Sequence, residues 1–298
     1  MRKLRFVLAL LGGFLVVSAA LVKFYMADTM EKTPLNIDST THLSGSGQIL
    51  DTKAGGTKAI KVNAVSVNKA VGKLSDGDVV SWANTTCAVI VEGETPDCLP
   101  PNNPQTVSWD QDTFATHRVD ALAVNDAKYV PDEPVQHEGL VNKFPFNTQK
   151  KSYLYWDGTA GKAVDMAFAG TKTVDGTELY VFQEKISDVP IQVAKGVPGT
   201  YAMDRTLWVE PVTGSIVNQV QHDVRKLSNG DLALDLSLAF TADQVSKSLG
   251  DAKSSAAQLN GLHGWIPLVL LIVGLVALAV SFVIGRRHTS SKHAAQAA

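Results

Sequence analysis

The chain has 298 residues, 45% of them hydrophobic, and a formal net charge of −2. Near-neutrality without a long Lys/Arg run argues against a nucleic-acid partner. Two apolar ends leave a centre of roughly 230 residues, enough for one large domain or two small ones.

Arg2, Lys3 and Arg5 precede an apolar run, Phe6–Val22, broken only by Gly12, Gly13 and Ser18. Two readings stay open. One is a cleaved signal peptide with a small-residue site at Val17-Ser18-Ala19. The other is a retained transmembrane helix over residues 1–26, and retention is the expectation. The run is longer than a usual signal core, Lys23 can snorkel, and Phe24 and Tyr25 suit an interface.

The centre, residues 27–240, is rich in Val, Thr, Asp and Gly, which favours strands. Thr33–Gly56 reads as loop with at most short strands, and Ser44-Gly45-Ser46-Gly47 as a turn. Lys58–Ala70 alternates with the period of a half-buried strand. Asp76-Gly77-Asp78 signals a turn, and Val79–Val91 a second strand. Thr95–Pro104 holds four prolines and so forms a surface loop. Cys87 and Cys98, the two cysteines, would pin that loop as a disulfide outside the cytoplasm. Gln105–Asp110 and Thr113–Val124 supply further strands.

Beyond residue 150 the pattern sharpens. Ser152–Trp156, Ala163–Ala169, Glu178–Ile186, Thr206–Val209, Ser215–Asp223, Val220–Leu227 and Asp231–Phe240 supply alternating strand material. Asp157-Gly158, Asp175-Gly176, Pro211-Val212-Thr213-Gly214 and Asn229-Gly230 supply the turns. The expected fold is mainly β (α+β): an antiparallel β-rich extracytoplasmic domain, a meander that can curl or become barrel-like, between terminal helices.

Thr241 can cap an amphipathic juxtamembrane helix over 241–262, with Val245, Leu249, Ala252, Ala256 and Leu259 on one stripe. Gly261 and Gly264 interrupt it. Trp265–Ile284 then carries no charge over 20 residues, enough to span a ~30 Å hydrocarbon core, so 263–285 is the second transmembrane helix. Arg286, Arg287 and Lys292 follow it in a polar tail, 286–298, expected to be unstructured. Basic flanks at both ends put both termini in the cytoplasm, the centre outside, and the protein in the inner membrane.

No motif for catalysis occurs: no nucleophile elbow, His-Glu-x-x-His, phosphate loop or dinucleotide glycines. A non-enzyme is expected, without metal or cofactor. His137-Glu138 reads as a surface or loop pair, and Asp204-Arg205 and Asp223-x-Arg225 as surface ion pairs.

The unusual stretch is His137–Gly158, HEGLVNKFPFNTQKKSYLYWDG. It sets Phe144, Phe146, Tyr153, Tyr155 and Trp156 among Lys143, Lys150 and Lys151. The rings fit the core of a sheet rimmed by lysines. They also fit an edge where rings meet acyl chains and lysines meet anionic headgroups. Phe144-Pro145-Phe146 is expected to be extended, its two rings on one face.

Gly139–Gly158 and Leu207–Val217 (LWVEPVTGSIV), with the two-span layout, resemble an actinobacterial family of mycolic-acid-bearing bacteria labelled the porin PorA family. The resemblance covers almost the whole chain. It implies no catalytic residues. Through its PgfA-like polar growth factor members it implies periplasmic handling of a mycolate glycolipid, trehalose monomycolate, beside an RND-type lipid transporter. The label points to a pore, whereas apolar helical spans are not what an outer-membrane barrel uses. The expected function is therefore binding or hand-over of a cell-envelope lipid, with the lipid bilayer and that transporter as partners. The alternative is a scaffold for envelope-assembly proteins.

Overall fold

A computed structural model describes residues 2–131 and 135–296, with the side chains of 2, 27, 28, 285 and 287–296 left aside. It divides into a helical unit, Met1–Lys32 with Ser254–Ala298, and a β unit, Thr33–Lys253.

In the helical unit, α1 (Arg2–Leu21) continues through a π-helical turn (Val22–Met26) into the short α2 (Ala27–Met30). Alpha-helix α3 (Ala242–His263) starts in the β unit and is followed by α4 (Trp265–Gln296). α1 and α4 run antiparallel: Lys23 donates to the His263 carbonyl (2.6 Å) and Ser281 to the Arg5 carbonyl (2.9 Å). Between those ends a Cβ on Gly12 would come within 2.8 Å of the Gly274 carbonyl. Among the described side chains the buried positions are Gly12 and Ala19 on α1 and Pro267, Gly274, Ala277 and Ser281 on α4. Small residues let two helices pack closely where lipid tails supply no hydrophobic drive. Both helices are long and apolar enough to cross a membrane. The expected unstructured tail is helical to Gln296; Ala, Gln and Lys favour helix. Arg287 and Lys292 lie outside the described side chains.

The β unit is one ten-stranded antiparallel sheet curled into a half-barrel. Its strands are β1 (Asp38–Asp51), β2 (Gly56–Ala70), β3 (Val79–Ile90), β4 (Thr106–His117), β5 (Tyr153–Asp157), β6 (Lys162–Val174), β7 (Thr177–Ala194), β8 (Val197–Glu210), β9 (Ser215–Leu227) and β10 (Leu232–Phe240). Spatial order is β4-β3-β2-β1-β10-β9-β8-β7-β6-β5, so two meanders join where the first strand meets the last. The edges β4 and β5 approach through single bridges: Thr116 with Ala123, Leu122 with Leu140, and Leu140 with Tyr155.

Four expectations need correcting. Thr33–Gly56 contains the 14-residue β1 rather than loop. Ser44–Gly47 is its middle, not a turn: a Cβ on Gly45 or Gly47 would fall within 1.8 or 2.0 Å of the Ser237 and Asp235 carbonyls of β10. Only glycine fits at these two positions, because the β10 backbone occupies the space of a side chain. Gln105–Asp110 and Thr113–Val124 are one strand ending at His117. The β7–β8 hairpin extends to Ala194 and Val197, beyond the expected strand ends, because bulges at Ile186/Val189 and Gln192/Ala194 break the alternation.

One apolar cluster joins Leu43, Ile60, Val62, Ala88, Ile90, Leu234, Leu236 and Leu238 of β1–β3 and β10. A second joins Ala121, Leu140, Phe144, Tyr155, Met166, Phe182, Leu207 and Val209 on the β5–β8 side. Thr241 caps α3, its Oγ1 accepting the Gln244 N–H (3.2 Å), and Leu249 and Ala252 pack with Leu179 and Val217. Cys87 and Cys98 form a disulfide.

Candidate functional site

The two stretches that carry the family resemblance lock together. Phe144 N–H donates to the Gly214 carbonyl (2.9 Å), Asn147 to Val212 (3.0 Å) and Thr148 to Pro211 (2.7 Å). The receiving turn is held by Glu210, which accepts from Val212 N, Thr213 N and Thr213 Oγ1 at 2.7–3.0 Å. Gly214, at φ +70°, leaves no room for a Cβ beside the Phe144 carbonyl. Phe144 and Pro145 lead into a turn at Phe146–Asn147, and the two rings part instead of sharing one face. Phe144 is fully buried, 4.5 Å centroid to centroid from Phe182, while Phe146 is half-buried.

The eight residues proposed from sequence for lipid contact divide accordingly. Phe144, Tyr155 and Trp156 belong to the core. Lys143, Phe146, Lys150, Lys151 and Tyr153 form a partly exposed rim. Three lysines lie over rings: Lys143 over Phe146 (3.8 Å), Lys150 over Tyr180 (4.9 Å) and Lys151 over Tyr153 (5.3 Å). Such pairs set the ammonium itself against the ring face, with Lys150 and Lys151 exposed to water and Lys143 drawn further inside. Lys150 also reaches Glu178 (3.6 Å). Lys143 reaches only the Thr33 hydroxyl (3.3 Å) among the described polar groups, and burial pulls its pKa down to about 7.

A set of charges missed as a unit by sequence lies inside the half-barrel. Glu184 of β7 faces Arg205 of β8 in register. Arg205 donates to Asp157 (2.9 Å) and, at 3.5 Å, to Glu184. Tyr201 donates to the same Asp157 oxygen (3.0 Å), and the Ala160 N–H to the other (2.7 Å). Arg225 clasps Asp223 at 2.6–3.1 Å and lies 5.9 Å from the Tyr201 ring. Asp157 and Glu184 are about 1% exposed. Glu184 Oε1 and Arg205 Nε have no partner among the described residues. Burial, against the pull of Arg205 and with the push of Asp157, raises the Glu184 carboxyl to about 7. Burial also pushes the Tyr155 hydroxyl up to about 12.

Of the two expected surface ion pairs, Asp223–Arg225 forms with its carboxylate buried, whereas Asp204–Arg205 does not form: Asp204 is exposed and Arg205 turns inward to Asp157 and Glu184. Asp204 and Arg205 are sequence neighbours on a strand, so they point to opposite faces. The available signal was phase: Glu184 lies between Phe182 and Ile186, and Arg205 between Met203 and Leu207, at core positions of their strands. His137 likewise is buried rather than on the surface. Its Nε2 lies 2.8 Å from Asp112, and its ring packs against Phe114 and Trp156.

Two recesses of the β unit are open to solvent. One, of about 500 Å³, is lined by Ser46, Gly47, Gln48, Ala59, Ile60, Lys61 and Asp235. The other, of about 290 Å³, lies between α3 and the β6–β7 turn. Neither is lined by the aromatic segment.

A family model described as Porin PorA matches residues 5–283. A relative named Porin PorA, from Corynebacterium resistens, is 22% identical over 266 residues, covering 61% of this chain and 64% of that protein. The chain thus spans less than two thirds of that relative's length. Since the family match runs from α1 through the interlocked turns of the half-barrel into α4, the chain belongs to the Porin PorA family.

Proposed function

We propose that the chain is a non-enzymatic, inner-membrane-anchored protein whose extracytoplasmic half-barrel binds or hands over an amphiphilic cell-envelope lipid, a mycolate glycolipid such as trehalose monomycolate, beside a lipid transporter. The observation that carries this reading is the lysine-over-aromatic rim at Lys143–Tyr153. It offers ammonium groups to a polar head and half-exposed rings to the chains next to it. Two apolar helices in the same chain supply the membrane, and the Cys87–Cys98 disulfide suits an oxidising compartment. Phe144, Tyr155 and Trp156 serve as the support that fixes the rim.

A scaffold for envelope-assembly proteins is the second reading, favoured by the packed aromatic interior and the open form of both recesses. A pore, which the family description names, has less behind it. α1 and α4 close on each other at Gly12 and Gly274, and the interior of the half-barrel is occupied by side chains. Native mass spectrometry of the detergent-purified chain tests the proposal. It expects a retained lipid, and a thermal shift with added glycolipid that Lys143→Gln/Lys150→Gln/Lys151→Gln reduces. No retained lipid and no shift would leave the scaffold.

A further inference from the structure

We infer that the half-barrel binds one proton below neutral pH, held by Glu184 as the neutral acid between Asp157 and Arg205. This goes beyond the lipid reading and stands whether or not a lipid binds.

Charges and donors are unequally matched in this buried place. From β5 come Asp157 and Tyr155, from β7 Glu184, from β8 Arg205 and Tyr201, while β6 offers the apolar Met166 opposite Glu184. On β9, Arg225 and Asp223 satisfy each other. Two carboxyl groups therefore share one guanidinium. Asp157 takes it: Arg205 Nη2, Tyr201 and the Ala160 N–H all converge on that carboxylate within 3.0 Å. Glu184 is left with one contact of 3.5 Å to Arg205 and an oxygen, Oε1, that no donor reaches among the described residues. A second buried anion so poorly served would cost several kcal/mol, and such a group neutralises instead. Protonation turns Glu184 into a donor toward the Asp157 carboxylate, which lies within hydrogen-bonding reach, and the direction of its titration shift agrees. The other buried glutamate among the described residues, Glu210, accepts three hydrogen bonds.

When the pH rises the proton leaves Glu184 for solvent, and the interior gains one uncompensated negative charge between β7 and β8. The half-barrel is then a proton-sensitive fold on this side.

Infrared spectroscopy of the full chain in detergent tests this, with glutamate carboxyl carbons isotopically labelled so that no substitution is needed. A labelled carboxylic-acid band should be present at about pH 6, lose most of its intensity by about pH 9, and be absent at both from Glu184→Gln. Absence of that band at the lower pH overturns the inference. So does a band that persists in folded Glu184→Gln. If Glu184→Gln does not fold, the labelled wild-type spectra decide alone.

Discussion

The two wings of the sheet fill one interior by different chemistry. Across β1–β3 and β10, leucines, isoleucines and valines pack together, with Gly45 and Gly47 set against the β10 backbone. Across β5–β9 the same inward positions hold Asp157, Glu184, Arg205, Asp223 and Arg225 beside Phe144 and Phe182. An apolar wing gains from every methylene it buries. A charged wing gains little net energy from its pairs and depends on each partner being present. The first wing should therefore be sensitive to volume and indifferent to pH, the second tolerant of isosteric change and sensitive to charge.

The largest expected effect belongs to the apolar wing. Gly47→Val would place side-chain atoms on the Asp235 carbonyl, a clash costing on the order of 4 kcal/mol or more, and circular dichroism should show loss of the β signal. Next, Arg205→Met strands the buried Asp157 carboxylate without its cation, at about 3–5 kcal/mol in a denaturant titration. The triple Asp157→Asn/Glu184→Gln/Arg205→Met should recover much of that loss.

The pH effect is of similar size. Burial lifts the Glu184 carboxyl from 4.5 to about 7, so the folded state holds the proton more tightly than the unfolded one. That contribution is complete below about 4.5 and is lost as pH rises through about 7, amounting to ~3 kcal/mol. Thermal midpoints should fall over this window in wild type and stay flatter in Glu184→Gln. The smallest effect is Cys98→Ser, which releases an 11-residue separation for about 2–3 kcal/mol, with the mobility confined to the Thr95–Pro104 loop by hydrogen exchange.

The same division marks what the residues disclose in advance. Asp175-Gly176 and Asn229-Gly230, the Leu249/Ala252/Ala256/Leu259 stripe and the Cys87–Cys98 pair follow from local rules, and each forms as expected. β1 stays hidden because its Ser/Gly composition answers a non-local demand, close approach to β10. The ionic network stays hidden because its members come from β5, β7, β8 and β9, and Asp204 beside Arg205 offers a decoy pair. Of the site residues, the lysines and rings were legible as a segment. Which rings turn inward depends on the turn Pro211–Gly214, more than 50 residues away in the chain.

The central claim is that the Lys143–Tyr153 rim meets lipid while its neighbours are core. A photoreactive benzophenone amino acid at the position of Phe146, irradiated in whole membranes, tests it, with the position of Val62 in the apolar wing as the buried control. The account predicts lipid adducts at the first position and none at the second. Adducts to protein alone at the position of Phe146 would contradict it and leave the half-barrel as a scaffold.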